Sequence, residues 1–262
     1  MTGTSQSTTG RRRRARPLVA FAILCAALIA TAAVSSAGAQ NAKVVAKNAK
    51  VLGKTKRTPP PSCPNRKHPN RCQGVGRVTG FPLLADGVKR PFRVQRNGKL
   101  VAWSIDLSRP TKNQRNFFGS IFKGKKFGKA PSARMAVLEQ DKRHRRKYKL
   151  LRQGPTVNLA GALGHKEIFT LDKPLRIRKG QTVALSYPSW ASNFAHNHLS
   201  AHDNQWRASR SKQKCAPPNS NPDVVKRWAR NSKSQQKVGS TRTYGCDYAG
   251  GRLLYWAYYV PG

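Results

Sequence analysis

Acidic side chains are scarce in this sequence. Its 262 residues include 51 Lys and Arg but only 9 Asp and Glu. General acid–base hydrolysis of a glycan requires positioned carboxylates, usually two. Most of the nine lie beside Lys or Arg or in turn-like segments, and no pair stands out. The sequence also lacks a G-x-S-x-G nucleophile elbow and a P-loop. It therefore favours a protein without catalytic activity, and no cofactor is predicted.

Positive charge, by contrast, is spread along the whole chain. The formal net charge is +42 at pH 7, far more than solubility requires. Such a surface binds polyanions through counterion release, at least at low salt. The expected partners of a monomeric protein are anionic polymers or glycans of the cell envelope, with peripheral membrane or wall association. Non-specific nucleic acid binding in vitro is also expected, although no nucleic-acid-binding signature is present. A basic surface with no dedicated ligand is the alternative.

Residues 1–39 have the three-part layout of a secretory signal peptide. Arginines at 11–14 and 16 precede an apolar run at 18–34, and Ala-Gly-Ala at 37–39 provides a small-residue cleavage site. A transmembrane anchor is the alternative, but the run is near the short limit for crossing a bilayer. We therefore predict a secreted, extracellular protein.

Residues 40–62 are predicted to form a basic, flexible tether. They contain six Lys or Arg and no acidic residue, and they include three prolines at 59–61. Such a segment is typical of a solvated arm with a stiff end. It would adhere electrostatically to the wall or membrane, and a plain linker is the alternative. A single folded domain would then cover residues 63–262.

Four cysteines follow the predicted signal peptide, namely Cys63, Cys72, Cys215 and Cys246. An even number in an exported protein indicates disulfides, and four cysteines allow three connectivities. We favour local pairing of Cys63 with Cys72 and of Cys215 with Cys246, because each pair flanks a loop-like polar segment. A zinc site is disfavoured, since neither pair has C-x-x-C spacing.

Residues 166–187 give the clearest structural signal. Apolar and polar residues alternate with a period of two on both sides of Gly180, and Pro174 and Gly180 interrupt every window that could hold a helix. The pattern predicts short antiparallel strands that reverse at Gly180. Further strand candidates are residues 74–79, 92–95, 100–107, 133–138, 148–152, 156–159 and 253–260. About eight to ten short strands predict an all-β fold, an antiparallel β-sandwich that is jelly-roll-like, with long loops and disulfides.

The connections between these strands carry further signals. Asn97-Gly98 predicts a hairpin turn between neighbouring strands. The strand at 253–260 is apolar on both faces, as expected for a central strand. Residues 109–130 and the long polar excursion at 191–251 are predicted as functional or poorly ordered loops. Only residues 224–230 are suggested as a short helix.

Several motifs in the second half of the chain carry a family resemblance. They are Lys-Gly-Gln-Thr-Val-Ala-Leu at 179–185, Trp190, Asn-Gln-Trp-Arg-Ala-Ser-Arg at 204–210, Cys215, Tyr-Gly-Cys at 244–246 and Arg-Leu-Leu-Tyr at 252–255. Together they resemble secreted β-sandwich proteins of soil actinobacteria, over residues 100–262. The resemblance implies a β-sandwich with a Cys215–Cys246 bridge. It implies no activity and no site.

A candidate ligand site combines aromatic and basic side chains where the strands give way to the 191–251 segment. Its members are Tyr187, Trp190, Trp206, Arg207 and Arg210. An exposed Trp can stack on a sugar ring, and Arg can bind a carboxylate or phosphate through two hydrogen bonds. We therefore predict a non-catalytic binding or cell-surface-associated module for anionic or carbohydrate polymers of the envelope. A structural extracellular protein without a ligand is one alternative.

A His-rich segment supports a different hypothesis. His196 and His198 would project to the same side of an extended loop, and His202 or Asp203 could complete a metal site. The protein would then be a metal-dependent or glycan-active hydrolase. The spacing matches no metal motif of known geometry, and a solvated loop is the alternative.

Overall fold

Antiparallel strands dominate the structure, a computed structural model that describes residues 49–63, 72–196, 198–215 and 222–262. In chain order the strands are β1 (Lys50–Leu52), β2 (Val75–Gly76), β3 (Thr79–Ala85), β4 (Val88–Lys89), β5 (Gly98–Asp106), β6 (Ser132–Gln140), β7 (Lys147–Gln153), β8 (Val157–Asn158), β9 (Lys166–Ile177), β10 (Thr182–Ser186), β11 (Trp190–Ala191), β12 (Phe194–Ala195), β13 (Gln205–Ala208), β14 (Thr241–Thr243), β15 (Cys246–Ala249), β16 (Arg252–Leu253) and β17 (Tyr255–Pro261). Two α-helices are described, α1 (Lys112–Ile121) and α2 (Pro222–Asn231). Within the described ranges, no helix is long and apolar enough to cross a membrane.

The strands form two main sheets. One has the order β1-β17-β5-β9 and the other the order β14-β7-β6-β10-β3-β13-β15, with β4 added to β3 and β8 to β6. Two small sheets pair β11 with β2 and β12 with β16. Every pairing is antiparallel.

The two main sheets share one hydrophobic core. It combines Trp103 of β5 and Tyr255 of β17 with Met135 of β6 and Val183 of β10, all nearly inaccessible to solvent. The Tyr255 hydroxyl crosses between the sheets and donates to the Val183 carbonyl at 3.1 Å. The all-β antiparallel sandwich is thus confirmed. The apolar 253–260 strand is central as predicted, since β17 pairs with β1 on one side and with β5 on the other.

Gly180 does not reverse a pair of neighbouring strands. β9 pairs with β5 in the four-stranded sheet, whereas β10 pairs with β6 and β3 in the nine-stranded sheet. Gly180 has a φ of 87°, which a residue without Cβ adopts at little cost, and the chain crosses between the sheets there. The alternation therefore predicted β9 and β10 correctly as strands, but the prediction that they pair with each other is wrong.

The hairpin prediction at Asn97-Gly98 is also wrong. β5 begins at Gly98 but pairs with β17 and β9, not with the preceding segment. A Cβ at Gly98 would overlap the Val260 carbonyl of β17, so this glycine permits close approach between two strands.

Both predicted long loops contain regular structure. Residues 109–130 include α1, whose N-cap Thr111 forms a capping box with Gln114. The 191–251 segment includes β13, which lies between β3 and β15 in the nine-stranded sheet. The helix expected at 224–230 is present as α2. The loop predictions fail because the many polar and basic residues of the two segments obscure the short strands and the capped helix within them.

The predicted tether is part of the fold from residue 49 onward. β1 pairs with β17, and the Arg252 guanidinium donates to the Thr55 hydroxyl at 2.8 Å and to the Arg57 carbonyl at 2.9 Å. The Arg57 amide donates in turn to the Asp86 carboxylate at 2.9 Å. Residues 49–62 are therefore not a free arm. The predicted signal peptide and residues 40–48 lie outside the described residues.

Both disulfides have the predicted local pairing. Cys63 is bonded to Cys72 and Cys215 to Cys246. The second bridge ties β15 to the end of the segment that follows β13.

Candidate anion-binding site

The nine-stranded sheet has a second apolar cluster on the face turned away from the core, which we call the outer face. Its members are Phe81, Ala136, Leu138, Tyr148, Leu150, Ala184 and Tyr244. Side chains alternate between faces along each strand, so on β6 Met135 and Val137 join the core while Ala136 and Leu138 lie outside. The rings of Phe81 and Tyr148 are 5.2 Å apart, edge to face.

Part of the outer face is covered by the segment that joins α2 to β14. Gln235, fully buried, donates from Nε2 to the carbonyls of Tyr148 at 3.2 Å and Ser240 at 2.7 Å. Its Oε1 accepts from the Tyr244 hydroxyl at 2.7 Å, and its backbone N–H donates to the Thr79 hydroxyl at 2.9 Å. Hydrogen bonds to one glutamine thus hold this segment on the sheet.

Two residues of the outer face, Phe81 and Tyr148, also line a cavity of about 240 Å³, which we call the arginine pocket. Phe81 and Tyr148 contribute its aromatic wall, and Arg90, Arg93 and Arg207 line it with guanidinium groups. Gln140 and Thr182 add an amide and a hydroxyl. The pocket therefore combines an apolar surface with three guanidinium groups, which only donate hydrogen bonds, and with amide and hydroxyl groups, which both donate and accept.

A turn after β4 places two of these arginines. The Arg90 amide donates to the Leu83 carbonyl at 2.7 Å, and the Arg93 amide donates to the Arg90 carbonyl at 3.0 Å. Arg93 also forms an isolated bridge with Thr182 at the start of β10. Arg90 is exposed and Arg93 half-buried, so both side chains are accessible from solvent.

The third arginine is fixed by a carboxylate. Arg207 donates from Nε and Nη2 to the two oxygens of Asp247, at 2.7 and 3.0 Å. Arg146 lies 3.1 Å from the same carboxylate. Burial alone would lower the pKa of Arg207, but hydrogen bonds and attraction from Asp247, together with Tyr148, raise it above the ordinary value. Arg207 is therefore a rigid, permanently charged side of the pocket.

Three arginines and no Asp or Glu are among the described residues that line the arginine pocket. None of the four ion pairs between described residues involves Arg90 or Arg93. Gln140 of the pocket donates from Nε2 to the Arg145 carbonyl in the β6–β7 turn at 2.6 Å. Asp247 already interacts with two arginines. An anion in this pocket would meet the accessible guanidinium groups of Arg90 and Arg93, which can bind planar oxyanions through paired hydrogen bonds.

The aromatic members of the predicted ligand site belong to the core instead. Tyr187, Trp190 and Trp206 are 0, 1 and 7% exposed. The Tyr187 hydroxyl accepts from the Asn193 side chain, and burial raises its pKa well above the ordinary value. Trp190 donates from Nε1 to the Lys129 carbonyl at 2.8 Å. These rings cannot stack on a sugar, because they already pack against the protein's own side chains.

The two predicted arginines have different positions. Arg207 lines the arginine pocket, whereas Arg210 donates to the Tyr248 hydroxyl at 3.1 Å and is not among the pocket residues. Sequence reasoning missed Arg90, Arg93 and Tyr148. They come from separate segments, and no local spacing relates them to Arg207.

The predicted metal ligands do not converge. His196 stacks on Phe194, with ring centroids 5.7 Å apart. His198 and His202 are exposed, and the His202 amide donates to the Ser200 hydroxyl. Across the described ranges, no group of three or more His, Cys, Asp or Glu side chains is arranged to hold a metal ion.

We find no match for the chain among protein-family models, curated proteins or solved structures. The resemblance to secreted actinobacterial proteins stays a prediction. The arginine pocket is therefore the basis of the function proposed below.

The carboxylate with a raised pKa lies outside this pocket. Asp106 ends β5, opposite Lys166 of β9. Burial raises the pKa of its carboxyl, and attraction from Lys166 offsets only part of that rise. Asp106 is not among the residues that line the arginine pocket. A perturbed carboxylate away from a cleft is weak support for acid–base catalysis.

Replacing Asp106 with Asn is expected to stabilise the protein at neutral pH. A carboxyl whose pKa is higher in the folded state contributes stability below its unfolded pKa, about 3.9, and loses it as pH rises through the folded pKa. The Tm of Asp106→Asn should therefore exceed that of the wild type at pH 7 and match it near pH 3. Asp172→Asn, an exposed substitution with the same charge change, is the control. A Tm of Asp106→Asn at pH 7 below the Tm of Asp172→Asn would contradict the expectation.

Proposed function

We propose that this protein is a secreted, non-catalytic module that binds anionic polymers of the cell envelope through the arginine pocket. The observation that carries the proposal is the convergence of Arg90, Arg93 and Arg207 on one cavity with an aromatic wall. Two of these guanidinium groups have no carboxylate partner among the described residues.

The chemistry of the pocket defines the group that it would recognise. A guanidinium matches the two oxygens of a carboxylate, or two oxygens of a phosphate, in a planar arrangement. Phe81 and Tyr148 offer an apolar surface beside those donors. A cavity of about 240 Å³ suits one charged repeat unit rather than a whole oligomer. Recognition of single repeats along a polyanion would fit this size.

The rest of the described surface favours a polar partner. Its exposed large hydrophobic side chains are three separate valines, Val88, Val238 and Val260. A protein partner that docks through an apolar patch would need a contiguous apolar surface. The abundant Lys and Arg instead supply long-range attraction to any polyanion, and the pocket would supply the specific contact.

The compartment proposed here agrees with the cysteine chemistry. Two disulfides are typical of proteins that fold in an oxidising compartment. The signal-like residues 1–39 support export. Wall polymers and acidic polysaccharides are the polyanions that an exported protein meets there.

The double variant Arg90→Gln/Arg93→Gln tests the pocket. Each charge-assisted hydrogen bond contributes about 1.5–3 kcal/mol, so the variant is expected to bind polygalacturonate or polyphosphate at least about tenfold more weakly at physiological salt. Affinity would be measured by titration across a salt series, with neutral dextran as the uncharged polymer.

The control removes equal charge elsewhere, from the exposed β9 residues Lys173 and Arg176. Lys173→Gln/Arg176→Gln should reduce the salt dependence similarly but weaken binding at physiological salt less than about threefold. Equal losses in the two variants would mean that the charge acts generically. Absence of salt-resistant binding by the wild type would overturn the proposed function.

A further inference from the structure

A second cationic cavity, of about 450 Å³, lies beside α1 and is called the helix pocket here. Arg109 precedes the helix, Arg115 and Asn116 lie on it, and Lys129 follows it. Its apolar side includes Pro131 and Leu163, among other residues.

The folded chain positions the cationic groups of this pocket. Arg109 packs against Gly164, where an added Cβ would lie 2.9 Å from its Nε, and its Nη2 is 3.3 Å from His165 Nε2. Arg115 donates from Nη1 to the Pro110 carbonyl at 2.9 Å. The backbone of Lys129 is held by the indole N–H of Trp190. Three cations are thereby presented at one cavity by segments that the core fixes.

Negative charge is missing from the described lining of the helix pocket. No Asp or Glu is among the described residues that line it. None of the ion pairs between described residues involves Arg109, Arg115 or Lys129. An oxyanion that enters this cavity would therefore meet cations without competing carboxylates.

The two pockets lie at opposite ends of the same strands. On β6, Pro131 precedes the first residue and lines the helix pocket, while Gln140 is the last residue and lines the arginine pocket. On β10, Thr182 begins the strand at the arginine pocket, and Trp190 follows its end at the helix pocket. A rise of about 3.3 Å per residue along β6 places the pockets roughly 30 Å apart.

We propose that the helix pocket is a second anion-binding site, and that one linear polyanion engages both pockets. The inference rests on the proposed function of the arginine pocket. Occupation of one site by a repeat of the polymer raises the effective concentration of its other repeats near the second site. A polyanion must be roughly 30 Å long before it gains this advantage. The length of the polyanion is therefore a determinant of specificity.

Size-fractionated oligogalacturonates test this inference with the full exported chain. For the wild type, affinity at physiological salt is expected to rise by about tenfold or more as the extended length passes roughly 30 Å. Arg109→Gln/Lys129→Gln should lose this step while it binds short oligomers as the wild type does. Lys123→Gln/Lys125→Gln removes the same charge from exposed residues of the connection between α1 and β6. This control variant should retain the increase in affinity at about 30 Å. The Tm values of all variants should match, which verifies that each is folded.

The outcomes separate the two proposals. A wild type that shows no salt-resistant binding at any length overturns the proposed function itself. Salt-resistant binding with affinity that rises smoothly, without a step, overturns only the two-site inference. So does a step that survives in Arg109→Gln/Lys129→Gln, or one that Lys123→Gln/Lys125→Gln removes equally.

Discussion

Removal of the Cys215–Cys246 disulfide is expected to lower the free energy of unfolding by about 3–4 kcal/mol. The bridge closes a 31-residue separation, and constraint of the unfolded chain over a loop of this length accounts for that amount. Cys246 is fully buried in β15, so a serine there would also bury a hydroxyl. The measurement is the Tm of Cys215→Ser/Cys246→Ser, which should fall by about 10 °C for a domain of this size.

The other disulfide provides the control for this experiment. Cys63 and Cys72 are only 9 residues apart, so the chain-entropy contribution falls to about 2–3 kcal/mol. Cys63→Ser/Cys72→Ser should therefore have the higher Tm of the two variants. The reverse order would mean that loop closure does not govern the stabilisation.

Replacing Gln235 with Ala is expected to cost about 2–4 kcal/mol of folding stability. The substitution removes the acceptor of the buried Tyr244 hydroxyl and the donor to the carbonyls of Tyr148 and Ser240. Buried polar groups that lose their partners retain their desolvation penalty. Chemical denaturation should show the loss as a lower midpoint.

A substitution at the adjacent residue Gln236 is the control, since it changes the same segment without removing the hydrogen bonds of Gln235. Gln236 is exposed and bonds from Nε2 to the Ser234 hydroxyl. Gln236→Ala should stay within about 0.5 kcal/mol of the wild type. Equal losses at the two positions would contradict the role of Gln235 as the anchor of this segment.

The fold class and most of the longer strands were predictable because burial imposes a period of two on each strand. The pairing partners were not, as β9 and β10 demonstrate. Their alternation is regular on both sides of Gly180, yet the two strands belong to different sheets. Partnership depends on side-chain contacts between distant segments, which local alternation does not encode.

The aromatic residues illustrate a second limit. A Trp beside Arg residues fits both an exposed stacking platform and a core position with a polar neighbour. Trp206 is buried and stacks on Tyr248, with ring centroids 4.7 Å apart, while Arg207 on the next position faces the opposite side of the strand. Strand alternation alone placed one residue in the core and the other in the arginine pocket.

Helix α1 was predictable in principle. Thr111 and Gln114 form the S/T-x-x-E/Q capping signature, and Phe118 and Phe122 follow at positions that share one face. The many basic residues and glycines of the 109–130 segment outweighed that signal. The two pockets were not predictable from the sequence, because Arg90, Arg93 and Arg109 meet the other pocket residues only after the sheets have assembled.

The pairing of β1 with β17 has a consequence for biogenesis. Lys50 lies opposite Tyr259, so the first described strand acquires its partner only after about 200 further residues have been made. Until then the edge of β17's sheet is incomplete, and the emerging chain cannot close its sandwich. The four-stranded sheet is therefore completed only when synthesis of the chain is nearly finished.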